Sequence, residues 1–145
     1  MAREVIRDNK IVKVERPSIL KIAGAITVIV GILGLAASLF IIFSPIIFGW
    51  LIMALIGFFA LISGAAILAG ADWGRDTAIM TCILSLFAAA IEILGSFNSY
   101  LRIVGVSTAW GGIGIATLIA SAAALYFLYR PDVVEWYTYE TLVQQ

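Results

Sequence analysis

Glu92 is the residue inside the apolar segments whose side chain could do chemistry. It stands within residues 85–97, SLFAAAIEILGSF, where the other polar side chains are two serines. A charged carboxyl at the centre of a membrane span costs about 2.5–3.5 kcal/mol on insertion scales, and less towards the ends. An acid kept at such a position is expected to be held by hydrogen bonds or to mark a proton or ion path.

Residues at a similar depth supply candidate partners for this carboxyl. Together they form a candidate intramembrane polar site of Glu92, Ser38, Ser107, Thr108 and Arg102, the last reaching down from a loop. Three interpretations stay open: an acid that bonds two helices together, a proton or ion relay, and a contact with a partner subunit. The relay differs from the other two because it requires a water-accessible path to Glu92.

Several chemistries are excluded by residues that the chain lacks. It has no histidine, so imidazole cannot hold haem, zinc, copper or iron, and no Ser-His-Asp set can form. Its single cysteine, Cys82, cannot make an internal disulfide or a thiolate cluster. The glycines of residues 111–114 lie inside an apolar helical pattern and do not form a phosphate loop. We therefore predict no enzymatic activity, no cofactor and no metal.

Composition places the chain in a lipid bilayer. Of its 145 residues, 63% are hydrophobic and 12% are charged, whereas soluble domains average about 25% charged residues. The formal net charge is zero, so no surface can collect enough lysine and arginine to bind nucleic acid. The bilayer is the first predicted partner.

The charged residues divide the chain into four apolar spans. Residues 22–71 carry no charge and are interrupted by Ser44-Pro45, and a span needs about 20 apolar residues. The predicted spans are 18–43, 46–70, 77–97 and 103–129, with tails at 1–17 and 130–145. Short connections favour an all-α, up-down bundle of four transmembrane helices that forms a single membrane domain.

The basic residues predict the orientation of this bundle. All of them except Arg102 fall on the side of the two termini, in the N-terminal tail, at Arg75 and at Arg130. The positive-inside rule then predicts that both termini lie in the cytoplasm and that the chain is integral to the plasma membrane. The first span is too long for a signal-peptide core and is expected to remain as an anchor.

Small residues predict how the helices pack, because they let helix backbones approach closely in lipid. The first three spans show them at steps of three and four, which is the spacing of a left-handed helix pair. These seams are Gly24, Thr27, Gly31, Gly34 and Ser38; Gly57, Ala60 and Gly64; and Ala78, Thr81, Ser85, Ala88, Glu92 and Gly95. Glu92 is therefore predicted to face a neighbouring helix and not lipid.

The fourth span carries a stripe at steps of four, which favours a right-handed crossing. We call Gly112, Ala116, Ala120 and Ala124, which follow Thr108 in this series, the four-residue stripe. It is predicted to contact another helix closely, either within the chain or in a foreign subunit.

The two tails suggest further contacts. β-Branched residues on both sides of Asp8-Asn9 indicate a small hairpin, which would be marginal in water without a partner. The C-terminal tail is rich in aromatic and β-branched residues. It is interpreted either as a short interfacial segment or as a partner-docking tail, with Trp136, Tyr137 and Tyr139 as the candidate anchors.

Three landmarks resemble those of small uncharacterised four-span prokaryotic membrane proteins. They are Arg16-Pro17 before the first span, Asp72-Trp-Gly-Arg75 between the second and third, and Arg130-Pro-Asp-Val133 after the fourth. Such proteins are similar in outline to accessory subunits at the flanks of large membrane complexes. We expect a structural or accessory subunit of such a complex. The alternative is a small homo-oligomeric transporter or channel that uses Glu92 as its proton- or ion-coupling carboxyl.

Overall fold

The chain folds into four long helices, preceded by a β-hairpin and followed by a shorter helix. The computed structural model describes residues 2–7, 10–41, 47–97 and 107–143, and the side chains of 15–39, 51–97 and 109–138. The long helices are α1 (Ser18–Ile41), α2 (Ile47–Ala69), α3 (Gly74–Ser96) and α4 (Ser107–Leu128). The shorter helix is α5 (Pro131–Val143).

All four long helices are long and apolar enough to cross a membrane, and they mark the chain as a membrane protein. Their bounds match the four predicted spans closely. Residues 42–43 and 103–106 of the predicted spans lie outside the described residues; elsewhere the largest difference is at α3, which begins at Gly74 and not at residue 77. Gly74 can start the helix early because it packs against α2, where a Cβ on it would lie 2.9 Å from the backbone nitrogen of Ile67.

The long helices form a closed ring. α1 packs against α2 and α4, and α3 packs against the same two helices from the other side. The basic end of the bundle is the one where α1 and α3 begin and where α2 and α4 end. The far end is the opposite one, where α3 ends and α4 begins.

Glycines carry the contact between α1 and α2, the pair with the most extensive contact in the bundle. A Cβ on Gly57 would lie 2.7 Å from the backbone nitrogen of Leu35, and one on Gly34 would lie 3.0 Å from the Cα of Gly57. Gly64 approaches the backbone of Val28 equally closely. The predicted seams of the first two spans are confirmed, because their small residues let the two backbones touch.

The N-terminal hairpin is also confirmed. Strand β1 (Ala2–Arg7) pairs antiparallel with β2 (Lys10–Glu15) in a register that sets Arg7 opposite Lys10. β1 lies against α5, which gives the hairpin the partner that two isolated strands require. The spanning part of the molecule is thus helical, and its described β-structure is confined to the residues before α1.

A hydrophobic cluster closes the basic end of the bundle. The ends of all four long helices meet there, and α5 folds against them. We call this set of buried side chains the basic-end cluster: Leu20, Ala23, Ile67, Ala78, Leu128, Val133 and Trp136. A smaller cluster of Ala37, Met53, Ala88 and Trp110 lies towards the far end.

Candidate functional site

Glu92 lies on the inward face of α3, one turn from the far end of that helix. Its side chain is 1% exposed. The predicted seam of this span is confirmed, because Ala78, Thr81, Ser85 and Ala88 are buried on the same face. The carboxyl therefore faces protein and not lipid.

The space for Glu92 comes from a glycine on α4. A Cβ on Gly114 would lie 2.9 Å from the Cβ of Glu92 and 3.1 Å from the carbonyl oxygen of Ala89. One turn further towards the far end, the ring of Trp110 packs against Gly95, and a Cβ on Gly95 would collide with that ring. In the contact between α3 and α4, Glu92 of α3 thus packs over Gly114 of α4, and Trp110 of α4 packs over Gly95 of α3.

Most buried hydroxyls in the bundle are satisfied by their own helix. Thr27 donates to the carbonyl oxygen of Ala23 at 2.8 Å, and Ser85 donates to that of Thr81 at the same distance. Thr81 and Ser63 make the same kind of bond to the preceding turn. Such back-bonding is the usual way in which a helix accommodates serine and threonine in an apolar setting.

Four buried polar atoms differ from this pattern. Among the described residues, no hydrogen-bond partner is found for Glu92 Oε2, Trp110 Nε1, Thr117 Oγ1 and Ser121 Oγ. Glu92 and Trp110 lie in the contact between α3 and α4, and Thr117 and Ser121 lie on the buried face of α4. Trp110, Thr117 and Ser121 were absent from the candidate polar site, since alone in an apolar sequence they look like ordinary packing residues.

The predicted partners of Glu92 are only partly described. Ser38 is buried, as expected for that site, but its hydroxyl donates to the carbonyl oxygen of Leu35 at 2.7 Å. The side chains of Ser107 and Thr108, and the whole of Arg102, lie outside the described residues. The part of the polar site that can be assigned therefore consists of Glu92 and the α4 residues opposite it.

The four-residue stripe is not the face that α4 turns towards its own bundle. Gly112 and Ala116 are exposed, Ala120 is half-buried, and only Ala124 is buried. The inward face has a different register because spacings of three and four, not four alone, follow the seam of an antiparallel bundle. Its residues are Trp110, Gly114, Thr117, Ser121, Ala124 and Leu128.

The C-terminal tail is a helix, and its tryptophan is internal. Trp136 is 2% exposed and belongs to the basic-end cluster. It therefore does not offer the docking surface that the sequence suggested, because its ring already packs against this chain. Tyr137 is half-buried beside it, with the two rings 4.8 Å apart, and the side chain of Tyr139 lies outside the described residues.

At the basic end, two arginines donate hydrogen bonds to carbonyl oxygens at the C-termini of α2 and α4. Arg16 donates to the carbonyl oxygens of Ile67 and Leu68, the latter at 3.0 Å, and its guanidinium lies 5.8 Å from the centre of the Trp136 ring. α2 ends there because Gly70 has φ +85°, a left-handed conformation that glycine adopts readily. Arg75 donates to the carbonyl oxygen of Leu128 at 3.3 Å, at the end of α4. The carbonyls at a helix C-terminus lack partners in their own helix and attract cations.

Taken together, the geometry offers one buried polar site and one outward small-residue face. No group of three or more histidine, cysteine, aspartate or glutamate side chains occurs in the described part of the chain. No protein family, curated protein or solved structure matches this chain.

Proposed function

We propose that this chain is a non-enzymatic structural or accessory subunit of a larger membrane protein assembly, with both termini on the cytoplasmic side. The observation that carries the proposal is the outward face of α4. Gly112 and Ala116 are exposed there, and no atom of the chain lies within 4 Å of a Cβ placed on Gly112. Every other helical glycine within residues 18–39, 51–96 and 109–128 has a neighbour at that distance.

The outward face of α4 also exposes Ile115, Leu118 and Ile119, but it differs from the others in its glycine. The described outward faces of the other long helices carry isoleucine, leucine and phenylalanine with single alanines between them, and no exposed glycine. An exposed glycine lowers helix stability by about 0.8–1 kcal/mol relative to alanine and contributes no packing within the chain. In lipid, such a position is useful where a second helix approaches closely. The outward part of the four-residue stripe therefore supports docking of a foreign helix.

The test compares matched alanine-to-leucine variants on three outward faces. Ala116→Leu blocks the close approach on α4, whereas Ala65→Leu on α2 and Ala90→Leu on α3 add the same bulk to exposed positions elsewhere. After gentle solubilisation, the chains that co-purify with the parent should be lost from Ala116→Leu and kept by the two controls. A parent that purifies without partners, or an Ala116→Leu variant that keeps them, would refute the proposed role of α4.

Orientation has its own test. Arg16, Lys21, Arg75 and Arg130 all lie at the basic end, in line with the positive-inside rule. Single cysteines introduced as Gln145→Cys and Asn98→Cys should be labelled from opposite faces of the membrane. The parent is the control because its Cys82 is buried. Labelling of both positions from one face would contradict the four-span topology.

A small homo-oligomeric transporter or channel is the second candidate, favoured by the unpartnered oxygen of Glu92. Against it, the basic-end cluster fills the interior at one end of the bundle with apolar side chains. A conducting path would have to open that cluster. Proton or ion flux into liposomes that contain the purified parent, and that disappears in Glu92→Gln, would establish transport. Absence of flux in both proteins leaves the subunit role.

A further inference from the structure

A surface groove lies where α4 ends and α5 begins. Its volume of about 590 Å³ is within the range of about 300–1,000 Å³ that is typical of ligand sites. Six residues line it: Ala122, Leu125, Tyr126, Tyr129, Arg130 and Pro131. The first four follow one another at spacings of three and four, which places them on one face of α4 and its last turn. The groove therefore runs along α4 and reaches the junction with α5.

The lining of this groove changes from apolar to basic along its length. Ala122 and Leu125 lie within the apolar segment of α4, which ends at Leu128. Ala122 is about 9 Å from that end along the helix axis, whereas Arg130 lies just beyond it. A phospholipid in a bilayer has the same order, because its acyl chains lie in the hydrocarbon core and its phosphate lies at the edge of that core. The groove thus matches a phospholipid in both polarity and depth.

Two tyrosines lie between the apolar and the basic part of the groove. Tyr126 is 67% exposed and Tyr129 is 58% exposed, and the two are one helical turn apart on the same face. Tyrosine is enriched at membrane–water interfaces because its ring suits the apolar side and its hydroxyl suits the headgroups. Each hydroxyl can donate one hydrogen bond to a phosphate or ester oxygen. The tyrosines therefore suit the glycerol region of a lipid.

Arg130 is the basic residue of the groove, and its backbone is fixed on both sides. Its amide donates to the carbonyl oxygen of Phe127 at 3.3 Å, and its carbonyl oxygen accepts from the amides of Val133 and Val134 at 3.0 Å. Its side chain is 40% exposed, with Nη2 3.4 Å from Oδ2 of Asp132. No other hydrogen bond or ion pair of this guanidinium is found among the described residues. A guanidinium has five N–H donors, so the contact with Asp132 leaves donors for a phosphate.

We propose that this groove binds one phospholipid, with the lipid phosphate on Arg130 and an acyl chain along Ala122 and Leu125. Phosphate is the lipid group that a guanidinium recognises best, because its oxygens match the donors of the planar fork. A free phosphate would leave the apolar half of the groove unused. None of the six lining residues belongs to the outward face of Gly112 and Ala116, so the lipid site does not depend on docking of a foreign helix there.

The test compares three matched probes on the purified full chain in a phosphate-free detergent. Phosphatidylglycerol has both a phosphate and acyl chains, the corresponding diacylglycerol lacks the phosphate, and glycerol phosphate lacks the chains. Native mass spectrometry should detect phosphatidylglycerol retained by the parent, and this lipid should raise the unfolding temperature more than the other two probes, because a ligand of the folded state stabilises it. An equal effect of diacylglycerol would overturn the phosphate contact. An equal effect of glycerol phosphate would overturn a lipid as the occupant.

Two variants test the two ends of the groove separately. Arg130→Gln should weaken phosphatidylglycerol binding by about tenfold or more, because charge-assisted hydrogen bonds to the phosphate are lost. Ala122→Phe changes an exposed residue, so the fold is kept, and it should weaken binding to a similar extent by filling the apolar part. The controls, Lys21→Gln at the same end and Ala90→Phe on α3, change exposed residues outside the groove and should bind as the parent does. A parent that retains no phosphatidylglycerol, or a groove variant that binds it as well as its matched control, would overturn the site.

Discussion

The contact between α1 and α2 and the contact between α3 and α4 use the same small residues for opposite purposes. Gly34 and Gly57 remove side chains so that two backbones meet. Gly95 and Gly114 instead make room for Trp110 and Glu92 of the partner helix. Among the described residues, α1 and α2 have no buried side-chain polar atom that lacks a hydrogen-bond partner, whereas α3 and α4 have four. A glycine in a membrane helix thus indicates close packing, but only its neighbour shows whether backbone or side chain fills the space.

The largest effect is expected from adding bulk between α1 and α2. Gly57→Leu should lower the free energy of unfolding by about 3 kcal/mol or more, because the new Cβ would collide with backbone that cannot rotate away. Reversible unfolding in mixed detergent measures it. Ala54→Leu, on the same helix but half-buried, is the control and should cost much less. If Gly57→Leu and Ala54→Leu lowered the free energy of unfolding equally, the contact at Gly57 would not be closer than that at Ala54.

A smaller loss of stability is expected when the arginines that bind the C-termini of α2 and α4 are replaced, and the loss should differ between the two helices. Arg16→Gln should cost about 1–2 kcal/mol, because it removes two charge-assisted bonds to the last turn of α2 and the contact with Trp136. Arg75→Gln removes one longer bond to the end of α4 and should cost about 0.5–1 kcal/mol. Lys21→Gln is the control at the same end. The tryptophan emission of the chain, to which Trp136 contributes, should change in Arg16→Gln alone, and an unchanged spectrum there would contradict the contact of Arg16 with the Trp136 ring.

The sequence predicted the parts of this fold that depend on repetition. Four uncharged stretches, punctuated by charges, fixed the number of spans, and steps of three and four identified the inward faces of α1, α2 and α3. Glu92 was placed correctly because it continues the seam of Ser85 and Ala88. These features follow from periodicity alone, which a single sequence contains.

What the sequence did not predict depends on choices between competing faces and on contacts over long distances. α4 has small residues on two faces, so their spacing in the sequence could not show which face is internal. The contact between Gly114 and Glu92 identifies the internal face. The aromatic and β-branched residues of the C-terminal tail did not indicate its conformation, yet Pro131 and Asp132 are suitable first residues for a helix and α5 forms. Arg16 capping the end of α2 joins residues more than fifty positions apart. No local pattern encodes that bond.

Gly114→Ala tests the contact between α3 and α4 on a smaller scale. The added methyl group would lie 2.9 Å from the Cβ of Glu92, so the two helices must separate by a few tenths of an ångström. We expect a loss of about 1–2 kcal/mol in the free energy of unfolding, offset in part by the better helix propensity of alanine. Stability equal to that of the parent would show that this contact is loose.

Gly112→Ala is the matched change on the opposite face of α4 and has the smallest expected effect in the isolated chain. No atom lies within 4 Å of the new methyl group, so nothing opposes it. Helix propensity then favours the variant by up to about 1 kcal/mol in unfolding measurements on the purified chain. In the native membrane the sign should reverse if a foreign helix docks there, because a methyl group at a close crossing pushes the partner away. The decisive measurement is therefore made twice, once on the purified chain and once on the complex extracted from membranes. A variant that is more stable alone and retains fewer partners identifies the outward face of α4 as a docking surface, and one that retains all of them shows that this face meets only lipid.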